Sequence, residues 1–228
     1  MAERTTLRLA HRGDWRAASE NSLAAMEAAL RIPGCDGLEF DVRCSSDGIP
    51  VLLHDATLER VQRLPLACVA LTAAELAEHG VPTLADVLVA VGCDAFVDVE
   101  LKAPVPGAID VLELERGRVD EDGRPTLRSA VISSFDHGIL QSIGEQRPTW
   151  PRWLNAYDLS EKTIDHARDL GCAALAVEWH AIDAESIGGA RAAGLDVAAW
   201  TVTDADAYRR LAELGVAAIC VEGAALDG

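Results

Sequence analysis

GLEFDV at residues 37–42, with TLRLAH at 6–11 and NSLAAMEAAL at 21–30 before it, carries the pattern that decides the fold. Alternate side chains of a strand share a face, so Leu38, Phe40 and Val42 point one way and Glu39 and Asp41 the other. Burying two like charges side by side is costly unless something compensates them. The stretch between the two strand-like runs has helical spacing. Strand, helix, strand in that order implies parallel strands joined by a right-handed crossover.

The alternation continues to the end of the chain. Further strand-like runs are DAFVDVEL (94–101), SAVISSF (129–135), PRWLNAY (151–157), CAALAVE (172–178), DVAAWTV (196–202) and AAICVE (217–222). Helical stretches between them are LADVLVAV (84–91), EKTIDHARDL (161–170), AESIGGARAAG (184–194) and DADAYRRLAELG (204–215). Asn21 or Ser22, Thr83, Ser160 and Asp204 suit N-caps, and Gly171, Gly194 and Gly215 suit the stops. About eight strands in a chain of this length point to a closed (β/α)8 TIM barrel, a single domain over residues 1–228. A doubly wound open sheet is the runner-up, and no glycine-rich phosphate loop follows the first strand to support it. IPVLLHD (49–55) after the turn SSDG (45–48) is expected to form a short hairpin insertion on the second strand. Residues 56–82 give no clear pattern.

Composition narrows the partners. Lys and Arg total 20 against 37 Asp and Glu, a formal net charge of -17. Such a surface repels nucleic acid and anionic membranes, and no basic cluster offsets it. The six cysteines, Cys35, Cys44, Cys68, Cys93, Cys172 and Cys220, show no metal-like spacing. They read as reduced, largely buried thiols of a cytoplasmic protein. MAERTTLRLAHRG resembles no signal peptide, and no segment reaches transmembrane length, so no membrane anchor is expected.

In such a barrel, function gathers at the carboxyl ends of the strands. Strand one ends in His11-Arg12-Gly13, strand two carries Glu39 and Asp41, the hairpin ends in His54-Asp55, and the next strand ends in Glu100-Leu101-Lys102. Glu39, Asp41 and Glu100 arriving at one rim offer hard oxygen ligands suited to Mg²⁺, Ca²⁺ or Mn²⁺. Arg12 and Lys102 cannot ligate a cation, and their natural role is to hold an anion. With His11 and His54 to move protons, the set describes phosphoryl chemistry. Each piece alone is commonplace; an E-x-D on a strand is usually a salt-bridge cluster. Their joint occurrence on consecutive strand ends points to a site.

AHRGDWRAASENSLAAMEAAL followed by GLEFDVRCSSDGIPVLLHD resembles the signature of the glycerophosphodiester phosphodiesterase (GDPD) family, with VELK (99–102) and AAWTVTD (198–204) matching its later segments. The resemblance implies a TIM barrel that hydrolyses glycerophosphodiesters to sn-glycerol 3-phosphate and an alcohol. It implies Glu39, Asp41 and Glu100 as ligands of one divalent cation, and His11 and His54 as the acid/base pair. Arg12 and Lys102 would hold the phosphate, Trp200 would line the pocket, and Glu20 and Asn21 would support the site. Three departures stand out: Ser19 and Ser22 replace the family's Pro and Thr around Glu20-Asn21, and Val221-Glu222 replaces its usual Thr-Asp.

Weaker candidates are Glu178 and His180 past the sixth strand. Ser133, Ser134, Asp136 and His137 fit a helix cap, and His79 and His166 fit solvent-facing helix positions. A small-molecule phosphodiester is the expected partner, with the oligomeric state open. The rival readings are a related barrel phosphodiesterase acting on lysophospholipids, phospholipase D-like in its chemistry, and a non-catalytic barrel that binds metal or phosphate.

Overall fold

The computed structural model describes residues 6–92, 94–116 and 129–227; Cys93 and the first residues of the N-terminal segment lie outside them. Nine strands form one sheet: β1 (Leu7–His11), β2 (Gly37–Cys44), β3 (Pro50–Leu52), β4 (Phe96–Leu101), β5 (Ala130–Ser134), β6 (Arg152–Ala156), β7 (Ala174–Glu178), β8 (Asp196–Val202) and β9 (Ala218–Val221). The helices are α1 (Leu23–Leu30), α2 (Glu59–Gln62), α3 (Ala73–Glu78), α4 (Leu84–Val91), α5 (Ala108–Arg116), α6 (His137–Gln146), α7 (Glu161–Asp169), α8 (Ala184–Ala192), α9 (Ala205–Glu213) and α10 (Ala224–Asp227).

All strands except β3 pair in parallel, and β1 bonds both β9 and β2, so eight strands close the expected barrel. β3 lies antiparallel outside it, with Val42 opposite Leu52, as the SSDG turn implied. Ser22, Thr83, Ser160 and Asp204 each cap a helix through their side chains. Gly171, Gly194 and Gly215 take positive φ at the helix ends. Of the two candidate caps for α1, Ser22 is the one used, which frees Asn21 for another task.

The main core fills the space between barrel and helices, where Leu38, Phe40 and Val42 are fully buried. A second cluster, including Leu9, Val131, Trp153, Ala174, Ala176, Ala198 and Ala218, plugs the barrel interior. Residues 56–82, unreadable in sequence, join Val51 and Leu53 in a small separate core around Leu58, Cys68 and Leu76. Its helices span only 4 and 6 residues, too short to show a period. Cys68, Cys172 and Cys220 are buried and Cys35 and Cys44 partly so, all as free thiols. Among the described residues no helix is long and apolar enough to cross a membrane.

Candidate active site

β2 and β4 run in register, Glu39 beside Asp98 and Asp41 beside Glu100. Four carboxylates therefore share the inner face at the barrel mouth. Asp41 is wholly buried, Asp98 is 2% exposed, Glu39 4% and Glu100 8%. Carboxylate oxygens of Glu39, Asp41 and Glu100 all lie within 4.8 Å of one another. Glu39, Asp98 and Glu100 line, with His11, Arg12, His54 and Lys102 among others, a cavity of about 410 Å³.

The acids are compensated in two different ways. Asp41 receives Arg12 Nε at 2.9 Å, Lys102 Nζ at 3.0 Å and Asn21 Nδ2 at 2.8 Å. Burial alone would raise its carboxyl, but Arg12 and Lys102 outweigh that and hold it below the usual range. Glu39 has no such partner. Both its oxygens are buried without a hydrogen bond among the described residues. Burial, then repulsion from Asp41 and Glu100, pushes its carboxyl well above the usual range. Glu100 is raised mainly by burial despite Lys102 Nζ at 2.6 Å. Burial likewise lifts Asp98, to about 7.

Orphaned oxygens on Glu39 beside two further carboxylates are what a divalent cation would satisfy. An all-oxygen donor set with no cysteine or histidine fits Mg²⁺, Ca²⁺ or Mn²⁺. Arg12 and Lys102, which the sequence reserved for an anion, thus also brace a ligand candidate. Burial opposes the charge on both, yet the surrounding carboxylates raise the two groups above their ordinary values.

The strained backbone at this rim has identifiable supports. Arg12 and Asn21 adopt positive φ of 59° and 57°. Arg12 N–H donates to Glu39 O, and Asn21 N–H donates to Arg12 O. Gly13, at φ 82°, abuts α1: a Cβ there would sit 2.6 Å from the Ala25 carbonyl carbon.

Each histidine is anchored by an acid. His11 Nδ1 bonds Glu222 Oε1, while its Nε2 lies 3.6 Å from Glu39 Oε2. His54 Nδ1 bonds Asp55 Oδ1 at 2.7 Å, and Arg43 Nε holds the His54 carbonyl at 2.9 Å. A carboxylate on Nδ1 selects the tautomer and leaves Nε2 for chemistry. Trp200 donates Nε1–H to Ala176 O and meets Phe135 and Tyr157 edge-on, centroids 5.6 and 5.5 Å away.

The sequence profile of the glycerophosphoryl diester phosphodiesterase family matches residues 11–224. The chain belongs to this family. A glycerophosphodiester phosphodiesterase of Caldanaerobacter subterraneus is 30% identical over 160 residues, 63% of each chain, so the match spans less than two thirds of that relative. Glycerophosphodiester phosphodiesterase 1 of Homo sapiens is 50% identical over 52 residues, 23% of this chain and 15% of that one. Among solved structures, an Oleispira antarctica phosphodiesterase in complex with the product sn-glycerol-3-phosphate has a TM-score of 0.79 at 25% identity, covering 95% of this chain and 93% of its own. A glycerophosphodiester phosphodiesterase from Agrobacterium tumefaciens gives 0.82 at 25%, covering 97% and 98%.

In this member of the glycerophosphodiester phosphodiesterase family, the structure places His11, Arg12, Glu39, His54, Glu100, Lys102 and Trp200 around one cavity, with Asp41 and Asn21 packed directly behind. Glu20 stands one step out, joined to Arg12 Nη1 at 3.0 Å. Ser133 corrects one expectation. It lies within β5, wholly buried and lining the cavity, and Asp136 alone caps α6 through its side chain. Ser134 ties Leu101 O to the Asp136 amide. His166 is half-buried against His137 rather than solvent-facing. Glu178 and His180 pair with each other away from the cavity. Sequence reading missed Arg43, Asn155 and Tyr157. Strand parity was the available signal for Asn155, two residues past Trp153 on the inner face.

Proposed function

We propose that this chain hydrolyses glycerophosphodiesters to sn-glycerol 3-phosphate and an alcohol, with a divalent cation on Glu39, Asp41 and Glu100 and with His11 and His54 as the acid/base pair. One observation carries the reading: a cluster of buried carboxylates and two acid-anchored histidines share one cavity. When bound, a divalent ion supplies neutralisation of phosphate charge there. Arg12 and Lys102 hold the phosphate oxygens from the side of Asp41. Lys102 carries a third N–H beyond its two carboxylate contacts. One histidine takes the proton of the attacking hydroxyl, from water or from the glycerol 2-position, at Nε2. The new P–O bond forms as the ester P–O bond breaks, and the other histidine's Nε2 protonates the departing alkoxide. Water attack gives the monoester directly; attack by the 2-hydroxyl gives a cyclic phosphate that water then opens.

A second reading draws on the aromatic wall. Phe135 is 38% exposed and Tyr157 70% exposed beside Trp200, an apolar surface leading out of the cavity. It would suit a lysophospholipid, or any alcohol with an apolar portion.

A panel of glycerophosphodiesters and lysophospholipids, assayed with and without EDTA, tests both readings. The first requires EDTA-sensitive release of sn-glycerol 3-phosphate, lost in His11→Ala and His54→Ala while cation binding persists. Near-normal rates in both variants would remove the acid/base assignment. Lysophospholipid turnover above that of glycerophosphodiesters, falling in Tyr157→Ala, would favour the second reading.

A further inference from the structure

The short helix α2 belongs to the insertion after β3, yet one of its side chains reaches the catalytic rim. Arg60 donates Nε–H to Asp55 Oδ2 at 2.6 Å. Its fork donates Nη1 and Nη2 to Glu20 Oε2 and Oε1 at 2.8 and 2.6 Å. Each carboxylate passes the contact onward. Asp55 holds His54 Nδ1 through its other oxygen, and Glu20 holds Arg12 Nη1, whose guanidinium reaches Asp41. A chain of alternating charge therefore runs from Asp41 through Arg12, Glu20, Arg60 and Asp55 to His54.

We propose that Arg60 is a positioning residue: by clamping Glu20 and Asp55 together it aligns Arg12 and the His54 ring on the same phosphate. The proposal rests on the phosphodiesterase reading above. Three N–H groups of one rigid plane serve two carboxylates, which a lysine's point charge cannot do. Without the guanidinium, Glu20 and Asp55 lose the cation they share, and Asp55 is free to turn away from His54. The loop itself keeps a separate hold, because Arg43 binds the His54 carbonyl. Arg60 is 47% exposed, and half-exposed ion pairs add little to folding stability. Its loss should therefore move the histidine ring more than the fold.

The test compares wild type, Arg60→Ala and Arg60→Lys by kcat, KM, Tm and the ring ¹⁵N shifts of His54. Arg60→Ala should lower kcat by about 10²-fold, as a misplaced catalytic group does. KM should rise less than kcat falls, and Tm should barely move. Added methylguanidinium should restore part of the rate to Arg60→Ala, and Arg60→Lys should recover only a fraction. The His54 ring should be a single Nδ1–H tautomer in wild type and a mixture in Arg60→Ala. Unchanged kcat with an unchanged tautomer overturns the proposal. So does a rate loss that follows a collapsed Tm and is not relieved by methylguanidinium. A wild type inactive across the panel defeats the phosphodiesterase reading instead, and the tautomer still decides the role of Arg60.

Discussion

Glu222, just past the end of β9, hydrogen-bonds Nδ1 of His11 at the end of β1. Val221-Glu222 stands where the family resemblance leads to an expectation of Thr-Asp. Val221 is buried in the core, and the longer acid still reaches the histidine. The two strands pair directly, Ala10 beside Val221, which brings residues 211 positions apart into contact.

That contact makes Glu222 the counterpart of Asp55 for the other histidine. Glu222→Ala should lower kcat by about 10–100-fold, the usual cost of removing the group that orients a functional histidine. Glu222→Gln keeps an acceptor for Nδ1–H and should lose less. Steady-state turnover of a glycerophosphodiester by the two variants checks this, and equal rates for Glu222→Ala and wild type would remove the orienting role.

The clustered carboxylates lose hydration and repel one another, so relieving one of them should stabilise the ion-free protein. Glu39→Gln keeps the shape of the acid and removes an ionisable group from beside Asp41 and Glu100. In EDTA, Tm should rise by roughly 2–6 °C, about 1–2 kcal/mol. Divalent cations should then raise the Tm of the wild type and leave the variant unmoved. A variant still stabilised by Mg²⁺, Ca²⁺ or Mn²⁺ to the wild-type extent would exclude Glu39 as a ligand.

Gly13 is where the rim meets α1. Its positive φ and the 2.6 Å approach of a Cβ to Ala25 leave no relaxed place for a side chain. Gly13→Ala should cost about 2–4 kcal/mol in urea unfolding, within the range of backbone-strain substitutions. A loss of a few tenths would show that α1 can shift to accommodate it.

The hairpin gives a pH-dependent contribution away from the site. Asp47 accepts the Ser45 hydroxyl and the Ala73 amide at the start of α3, and these bonds, in that order, hold its carboxyl below the ordinary range. A group depressed on folding stabilises the protein above its unfolded pKa, and that contribution fades as pH falls through the folded value. The Tm gap between wild type and Asp47→Asn should be full at neutral pH and close below about pH 4, the ordinary carboxylate range. A gap that stays constant down to that pH would assign the difference to shape and not to charge.

Much of the site could be read from residues near one another in sequence. A strand has a side-chain period of two, so Glu39 and Asp41 had to share a face, and so did Asp98, Glu100 and Lys102. What could not be read was which side chains cross between loops. Asn21, which the spacing offered as a cap and the family resemblance placed near the site, donates Nδ2–H to Asp41, while Ser22 caps the helix. Arg60 sat in a stretch without period, and nothing local tied it to Glu20, 40 residues away.

By itself, then, the sequence determined the strand–helix alternation, the closed parallel barrel and the acids and histidines facing its mouth, since these follow from local periodicity and strand direction. Only the tertiary structure decided how the buried charges are neutralised. Asp41 is balanced by Arg12 and Lys102, Glu39 is left without a hydrogen bond among the described residues, and His11 is fixed by an acid from the far end of the chain. Coulomb and desolvation energies depend on distance and burial in space, and closing the barrel sets both.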